Sequence, residues 1–213
     1  MAPGEAVALV GPSGCGKTTA LNIAAGLDHD FEGSVSLDPA ARLGYVFQTP
    51  RLLPWRSVRD NVALAMPAEQ RRGPTADRLL AEVGLAEAAT KFPGELSGGM
   101  QRRAALARAF ALDADILLLD EPFISLDVAA AADLRRRLAA HAAERDRSLL
   151  IVTHDLAEAV ELADRIVVVG GAPAGVVAEL PVPMPRTGRP ADRIESLRAE
   201  FAPLVRAAGL HEA

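Results

Sequence analysis

The sequence predicts an α/β fold, a parallel sheet flanked by helices with a helical subdomain inserted into it. Three observations carry the prediction. Short apolar runs alternate with segments of helical period along most of the chain, the pattern of an α/β core. No strand signal interrupts the stretch between Pro50 and Leu112, which therefore reads as an inserted helical unit. Finally, Gly11-Pro12-Ser13-Gly14-Cys15-Gly16-Lys17-Thr18 lies between the first apolar run and the first helical segment, where a sheet of this class offers backbone N–H groups to an anion.

The elements follow in order. Ala6–Val10 is the first strand, and a helix over Thr18–Ala25 follows the glycine-rich loop. Strand-like runs come next at Ser34–Leu37 and Leu43–Phe47. Helical patterns then cover Val58–Ala65, Thr75–Glu82 and Met100–Leu112. Ile116–Leu119 is a four-residue apolar run ending in Asp120, the mark of a buried parallel strand that delivers a carboxylate at its C-terminal end. Val128–Arg145 is a helix, Leu149–Val152 a strand, Leu156–Ala163 a helix and Ile166–Val169 a strand. Gly170-Gly171 and Pro173 to Gly175 mark a turn before a short strand around Val176–Leu180. Pro181, Pro183, Pro185 and Pro190 make the next segment irregular, and a last helix is expected near Ile194–Ala208. The expected organisation is a core of residues 1–48 and 113–180, a helical subdomain of 49–112 and a C-terminal tail of 181–213 that acts as a structural cover.

Composition narrows the function. A chain of 213 residues, half of them hydrophobic, can bury a sizeable core. The net charge is −5 and the basic residues are dispersed, which leaves no electrostatic footprint for nucleic acid. Apolar runs fall far short of the ~20 residues needed to span a bilayer, so any membrane role comes through a partner. No secretory leader is expected, because Met1 is followed almost at once by a strand. Cys15, the single cysteine, excludes an internal disulfide and fits a reducing compartment.

The loop fits G-x-x-x-x-G-K-[ST], whose backbone amides wrap phosphates. Gly11, Gly14 and Gly16 give the backbone the freedom to approach an anion closely, and Pro12, Ser13, Cys15 and Thr19 complete the expected nucleotide contacts. Lys17 supplies a mobile positive charge for the outer phosphates; with two lysines against 21 arginines, its place here is a poor candidate for accident. Thr18 offers a hydroxyl to Mg²⁺ between the β- and γ-phosphates of ATP, Asp120 holds the same ion through water, and Glu121 polarises the attacking water. Without the loop, Asp120-Glu121 would read as an ordinary acidic turn.

Leu96-Ser97-Gly98-Gly99-Met100-Gln101-Arg102 closely resembles the LSGGQ signature of ATP-binding cassette (ABC) proteins. The resemblance implies a phosphate-loop nucleoside triphosphatase core. It also implies a head-to-tail dimer in which Ser97, Gly98, Gly99, Gln101 and Asp127 of one subunit meet ATP held by the loop of the other. Gln48 resembles the glutamine of this family that contacts Mg²⁺ and reports nucleotide state. His154, in Thr153-His154-Asp155, resembles the switch histidine that contacts the γ-phosphate, giving a catalytic set of Lys17, Gln48, Glu121 and His154. Asp127 resembles the interface-crossing aspartate, with Ile124 replacing the small residue usual at its position. Leu52-Leu53-Pro54-Trp55 followed by Val58-x-x-Asn61-Val62 looks like the ATPases of nitrate, sulfonate and taurine importers. Leu52, Leu53 and Trp55 are suited either to receive a helix from a membrane subunit or to pack within the helical subdomain.

The implied partners are a second ATPase subunit, a membrane permease and, indirectly, a solute-binding protein. The implied place is the cytoplasmic face of the plasma membrane. One departure stands out: family members begin with two antiparallel strands and an adenine-stacking aromatic, whereas the first aromatic here is Phe31. The antiparallel subdomain is therefore expected to be truncated, with loose discrimination between ATP and GTP. A soluble, non-transport ABC ATPase and a weakly hydrolysing cassette are the alternatives.

Overall fold

The apolar runs become buried strands because helices cover them from both sides, the setting in which parallel strands read as continuous hydrophobic stretches. The computed structural model describes residues 1–144 and 146–209. Its strands are β1 (Ala6–Val10), β2 (Leu43–Val46), β3 (Ile116–Asp120), β4 (Ser148–Thr153), β5 (Arg165–Gly170) and β6 (Gly175–Pro181). They form one sheet in the order β2-β3-β4-β1-β5-β6. The first five are parallel, and β6 closes one edge antiparallel to β5.

The helices are α1 (Lys17–Ala24), α2 (Val58–Ala63), α3 (Thr75–Glu82), α4 (Gly98–Ala111), α5 (Val128–Ala143), α6 (Leu156–Leu162) and α7 (Ala191–Ala207). Successive strand residues face opposite ways, and the core divides accordingly. Leu118 and Val152 pack with Leu21 of α1 on one face, while Ala8, Leu117, Leu119 and Ile151 join the larger cluster with α6 on the other. Between β2 and β3 the chain holds α2, α3, two short 3₁₀ turns (Ala86–Ala88 and Pro93–Glu95) and α4. The starts of α4, α5 and α6 carry side-chain caps: Ser97 Oγ accepts the Met100 N–H, Asp127 Oδ1 the Ala130 N–H and Asp155 Oδ1 the Ala157 N–H.

Three expectations need correction. Ser34–Leu37 is not a strand: its backbone pairs with no other segment among the described residues, and Val35 and Leu37 stand 45% and 41% exposed. A strand-like composition cannot hold four residues extended without a neighbouring ladder. The helix expected at Met100 begins two residues earlier, because the Ser97 cap lets Gly98 and Gly99 take up helical conformation. The last helix starts at Ala191 rather than Ile194 and includes Pro203. Arg145, the expected end of α5, and residues 210–213 of the tail lie outside the described residues.

Arginines lock the tail to the core. Arg186 donates to the carbonyls of Gly4 and Arg147, and Arg189 to that of Ala163. Behind them α7 buries Leu197, Phe201, Ala202 and Val205 and packs on α6.

Candidate functional site

β1 ends at Val10, and the glycine-rich loop turns residues 11–16 over the C-terminal edge of the sheet before α1 begins at Lys17. Gly14 and Gly16 have φ +82° and +89°, left-handed angles that disfavour a side chain. Gly11 is glycine for a different reason from the one expected. A Cβ there would lie 2.2 Å from the Val169 carbonyl oxygen, so the loop could not rest against β5.

Lys17 is buried, and its ammonium donates to the Gly11 and Pro12 carbonyls at 2.8 Å each, with Cys15 Sγ 3.8 Å away. It thus holds the loop in shape as well as placing a positive charge beneath it. Ser13, Gly14, Gly16, Lys17, Thr18 and Thr19 line a cavity of about 320 Å³ together with Gln48, just beyond β2, and Glu121, just beyond β3. Parallel strands ending side by side bring these distant positions together.

Asp120, the last residue of β3, is buried and accepts the Thr18 hydroxyl at 3.1 Å. Burial holds its carboxyl above the usual carboxylate range, against the Thr18 hydrogen bond; the Glu121 charge adds to the rise and Lys17 opposes it. Glu121 adopts φ +45°, an unusual angle for a residue with a side chain, and its N–H donates to the Val152 carbonyl. Its Oε1 lies 3.4 Å from His154 Nδ1, just beyond β4. Thr18, Asp120 and Gln48 offer hydroxyl, carboxylate and amide oxygens, a donor set that suits Mg²⁺. Among the described residues no three His, Cys, Asp or Glu side chains gather as a metal cage, so such an ion would complete its shell with phosphate and water oxygens.

A second cavity, of about 480 Å³, brings Ser97, Gly98 and Gly99 together with Ser125, Leu126 and Asp127. No loop residue lines it. Gln101 is not brought there: its amide nitrogen donates to the Pro93 and Leu96 carbonyls and steadies the turn before α4. Ile124 is half-buried, and Ser125 beside it takes φ +61°.

A family model described as "ABC transporter" matches residues 1–124. The chain is 47% identical over 212 residues to the aliphatic sulfonates import ATP-binding protein SsuB 2 of Burkholderia cenocepacia, covering 96% of this chain and 77% of that one. This chain belongs to the ABC transporter ATPase family. A protein of Pseudomonas aeruginosa named aliphatic sulfonates import ATP-binding protein SsuB 1 is 45% identical over 91% of this chain and 81% of its own. Among solved structures, the dimeric ATP-binding cassette MJ0796 in a post-hydrolysis state with ADP and Pi superposes with a TM-score of 0.73 at 31% identity, over 86% of this chain and 88% of that one. A second family model, described as an AAA domain, putative AbiEii toxin, Type IV TA system, matches residues 92–161.

Within this ABC ATPase, sequence reasoning missed the groups that hold the Gln48 segment. Arg102 of α4 donates to the Gln48 carbonyl at 2.9 Å, and Arg108 donates to the carbonyls of Arg51 and Pro50 at 2.8 and 2.9 Å. Buried Asn61 binds Leu53 through both its N–H and its carbonyl, and the Arg56 and Ser57 carbonyls besides. These bonds fix the loop that presents Trp55, which is 69% exposed, whereas Leu52 packs against the core. The arginines gave no signal because each is one of 21; Asn61 stood only inside a longer resemblance.

Proposed function

We propose that this chain is the ATP-hydrolysing subunit of an ABC importer for sulfonate-like or related oxyanionic solutes, working as a head-to-tail dimer beneath a membrane permease. The observation that carries the reading is the cavity shared by the phosphate loop, Gln48 and Glu121, with His154 on Glu121. A cassette that only bound nucleotide would have no use for that carboxylate–imidazole pair.

In this reading the loop amides and the start of α1 bind the phosphates of ATP, and Lys17 neutralises their charge. Thr18, Asp120 and Gln48 would hold Mg²⁺, which would screen the charge of the β- and γ-phosphates. Glu121 orients the attacking water and accepts its proton, while His154 contacts the γ-phosphate and steadies Glu121. The cavity formed by Ser97, Gly98, Gly99 and Asp127 closes over the partner's ATP. Gln101 serves that surface indirectly, by holding the turn before α4. Residues 1–48 and 113–180 act as the nucleotide-binding core, 49–112 as the moving helical part and 181–213 as the cover.

No helix among the described residues is long and apolar enough to cross a membrane, so contact with the bilayer is indirect in this account. It runs through the exposed Trp55, on a loop tied to Gln48 by α4. Trp55→Ala is expected to leave basal ATP turnover within about twofold of the parent while lowering solute uptake by reconstituted permease about tenfold or more, the usual cost of an aromatic anchor. Parental uptake by that variant would remove Trp55 from the permease contact.

A further inference from the structure

Glu158 is a largely buried carboxylate that the hydrolytic scheme leaves unused. It lies in the first turn of α6 and its side chain is 11% exposed. Its Oε2 accepts the Thr153 hydroxyl at 2.7 Å, and the same hydroxyl oxygen accepts the Asp155 N–H at 3.0 Å. These bonds bracket the single residue between Thr153 and Asp155, which is His154. On its other side, Oε1 lies 3.8 Å from Arg135 of α5. That guanidinium also binds Glu161 and sits over the ring of Phe123, two residues beyond Glu121.

We propose that Glu158 is a positioning residue for the switch histidine, its carboxylate fixing the Thr153–Asp155 turn so that His154 is held against Glu121. The inference rests on the reading of His154 as part of the hydrolytic site. Two carboxylate oxygens are needed because the tasks differ: one accepts the hydrogen bond of the Thr153 hydroxyl, and the other faces a cation on the neighbouring helix. A protonated carboxyl performs both poorly.

Burial pushes this carboxyl up to about 7; the Thr153 hydrogen bond opposes the rise, the Asp155 charge adds to it, and Arg135 and His154 oppose it. Those are the charges that bear on it: Asp155, which caps its helix, Arg135 on α5 and His154 in the preceding loop. β1 and β4 carry no ionisable side chain, and α7, packed on α6, supplies none of the set. As the pH falls through this range the carboxylate takes up a proton, Arg135 keeps Glu161 as its ionic partner, and the turn loosens.

The stability consequence has the opposite sign. The folded-state value lies above the ordinary carboxyl value of 4.5, so the folded protein binds more protons than the unfolded chain between about 4.5 and 7. Stability therefore falls as pH rises through that window. Glu158→Gln removes the buried charge and is expected to melt higher than the parent at pH 8.

The test is the imidazole NMR titration of His154 in the nucleotide-free full chain, parent against Glu158→Gln, with ATP turnover measured from pH 6 to 8 on the same samples. We expect the His154 resonance of the parent to report protonation of Glu158 as an inflection near 7, and the variant to lack that inflection. Turnover of the variant at pH 8 should fall about fivefold, the difference between a charged and a neutral hydrogen-bond acceptor, with a flatter pH profile despite its higher melting temperature. A residue with a merely structural role would not separate stability from turnover in this way. Superimposable His154 curves in parent and variant would overturn the proposal. An altered His154 curve in a parent that turns over no ATP would uphold the positioning contact and overturn the hydrolytic reading instead.

Discussion

Glu121→Gln is expected to bind ATP as the parent does and to turn it over about a hundredfold more slowly or worse, the scale of a lost general base. The amide keeps the size of the side chain, and the backbone bond from the Glu121 N–H to Val152 is untouched. The unusual φ of +45° is the same for both residues, so the fold should not register the change. What disappears is the capacity to accept a proton from water beside His154, 3.4 Å away. In the proposed cycle ATP closes the dimer and hydrolysis opens it, so the variant should accumulate as an ATP-bound dimer by sedimentation. Turnover within a few-fold of the parent would assign the proton to another group.

Lys17→Ala should fail at the earlier step. Lys17 is 6% exposed, and its ammonium is held by the Gly11 and Pro12 carbonyls. Its removal takes a charge-assisted contact from the phosphates and leaves two loop carbonyls without their donor. Each loss is worth roughly 1–3 kcal/mol, so ATP affinity should fall on the order of a hundredfold in a titration with a fluorescent nucleotide. The two variants thus separate chemistry from binding: one binds without turning over, the other barely binds. Parental affinity in Lys17→Ala would mean that the loop amides alone carry the phosphate.

Which residues gather at the strand ends was largely legible in the sequence because they lie in short contiguous segments. Gly14, Gly16, Lys17 and Thr18 belong to one loop, and Asp120 and Glu121 end one apolar run. Folding needs only to align the strand ends, and the structure places Gln48 and Glu121 in the loop's cavity. What escaped depends on side chains meeting across elements. Glu158 is an ordinary acidic helix residue in the sequence; only the packing of α6 against α5 makes it a buried carboxylate facing Arg135. Arg102 and Arg108 likewise become anchors only when α4 lies beside residues 48–51.

Other differences are local physics overriding composition. Ser34–Leu37 has the residues of a strand but no ladder to join. Gly11 answers to the closeness of β5 rather than to its own φ. Gln101, in a segment whose resemblance suggests nucleotide contact, uses its amide nitrogen to hold the turn before its own helix.

In the proposed dimer each ATP is hydrolysed between two chains, and Ser97, Gly98, Gly99 and Asp127 line a cavity that no phosphate-loop residue enters. The most direct test is Mg²⁺-dependent ATP turnover per chain across a wide range of protein concentration, with Glu121→Gln as control. The account predicts a rate per chain that rises with concentration to a plateau and vanishes in the control. A constant rate per chain from protein that sediments as a monomer, or no turnover from correctly folded protein, would contradict it.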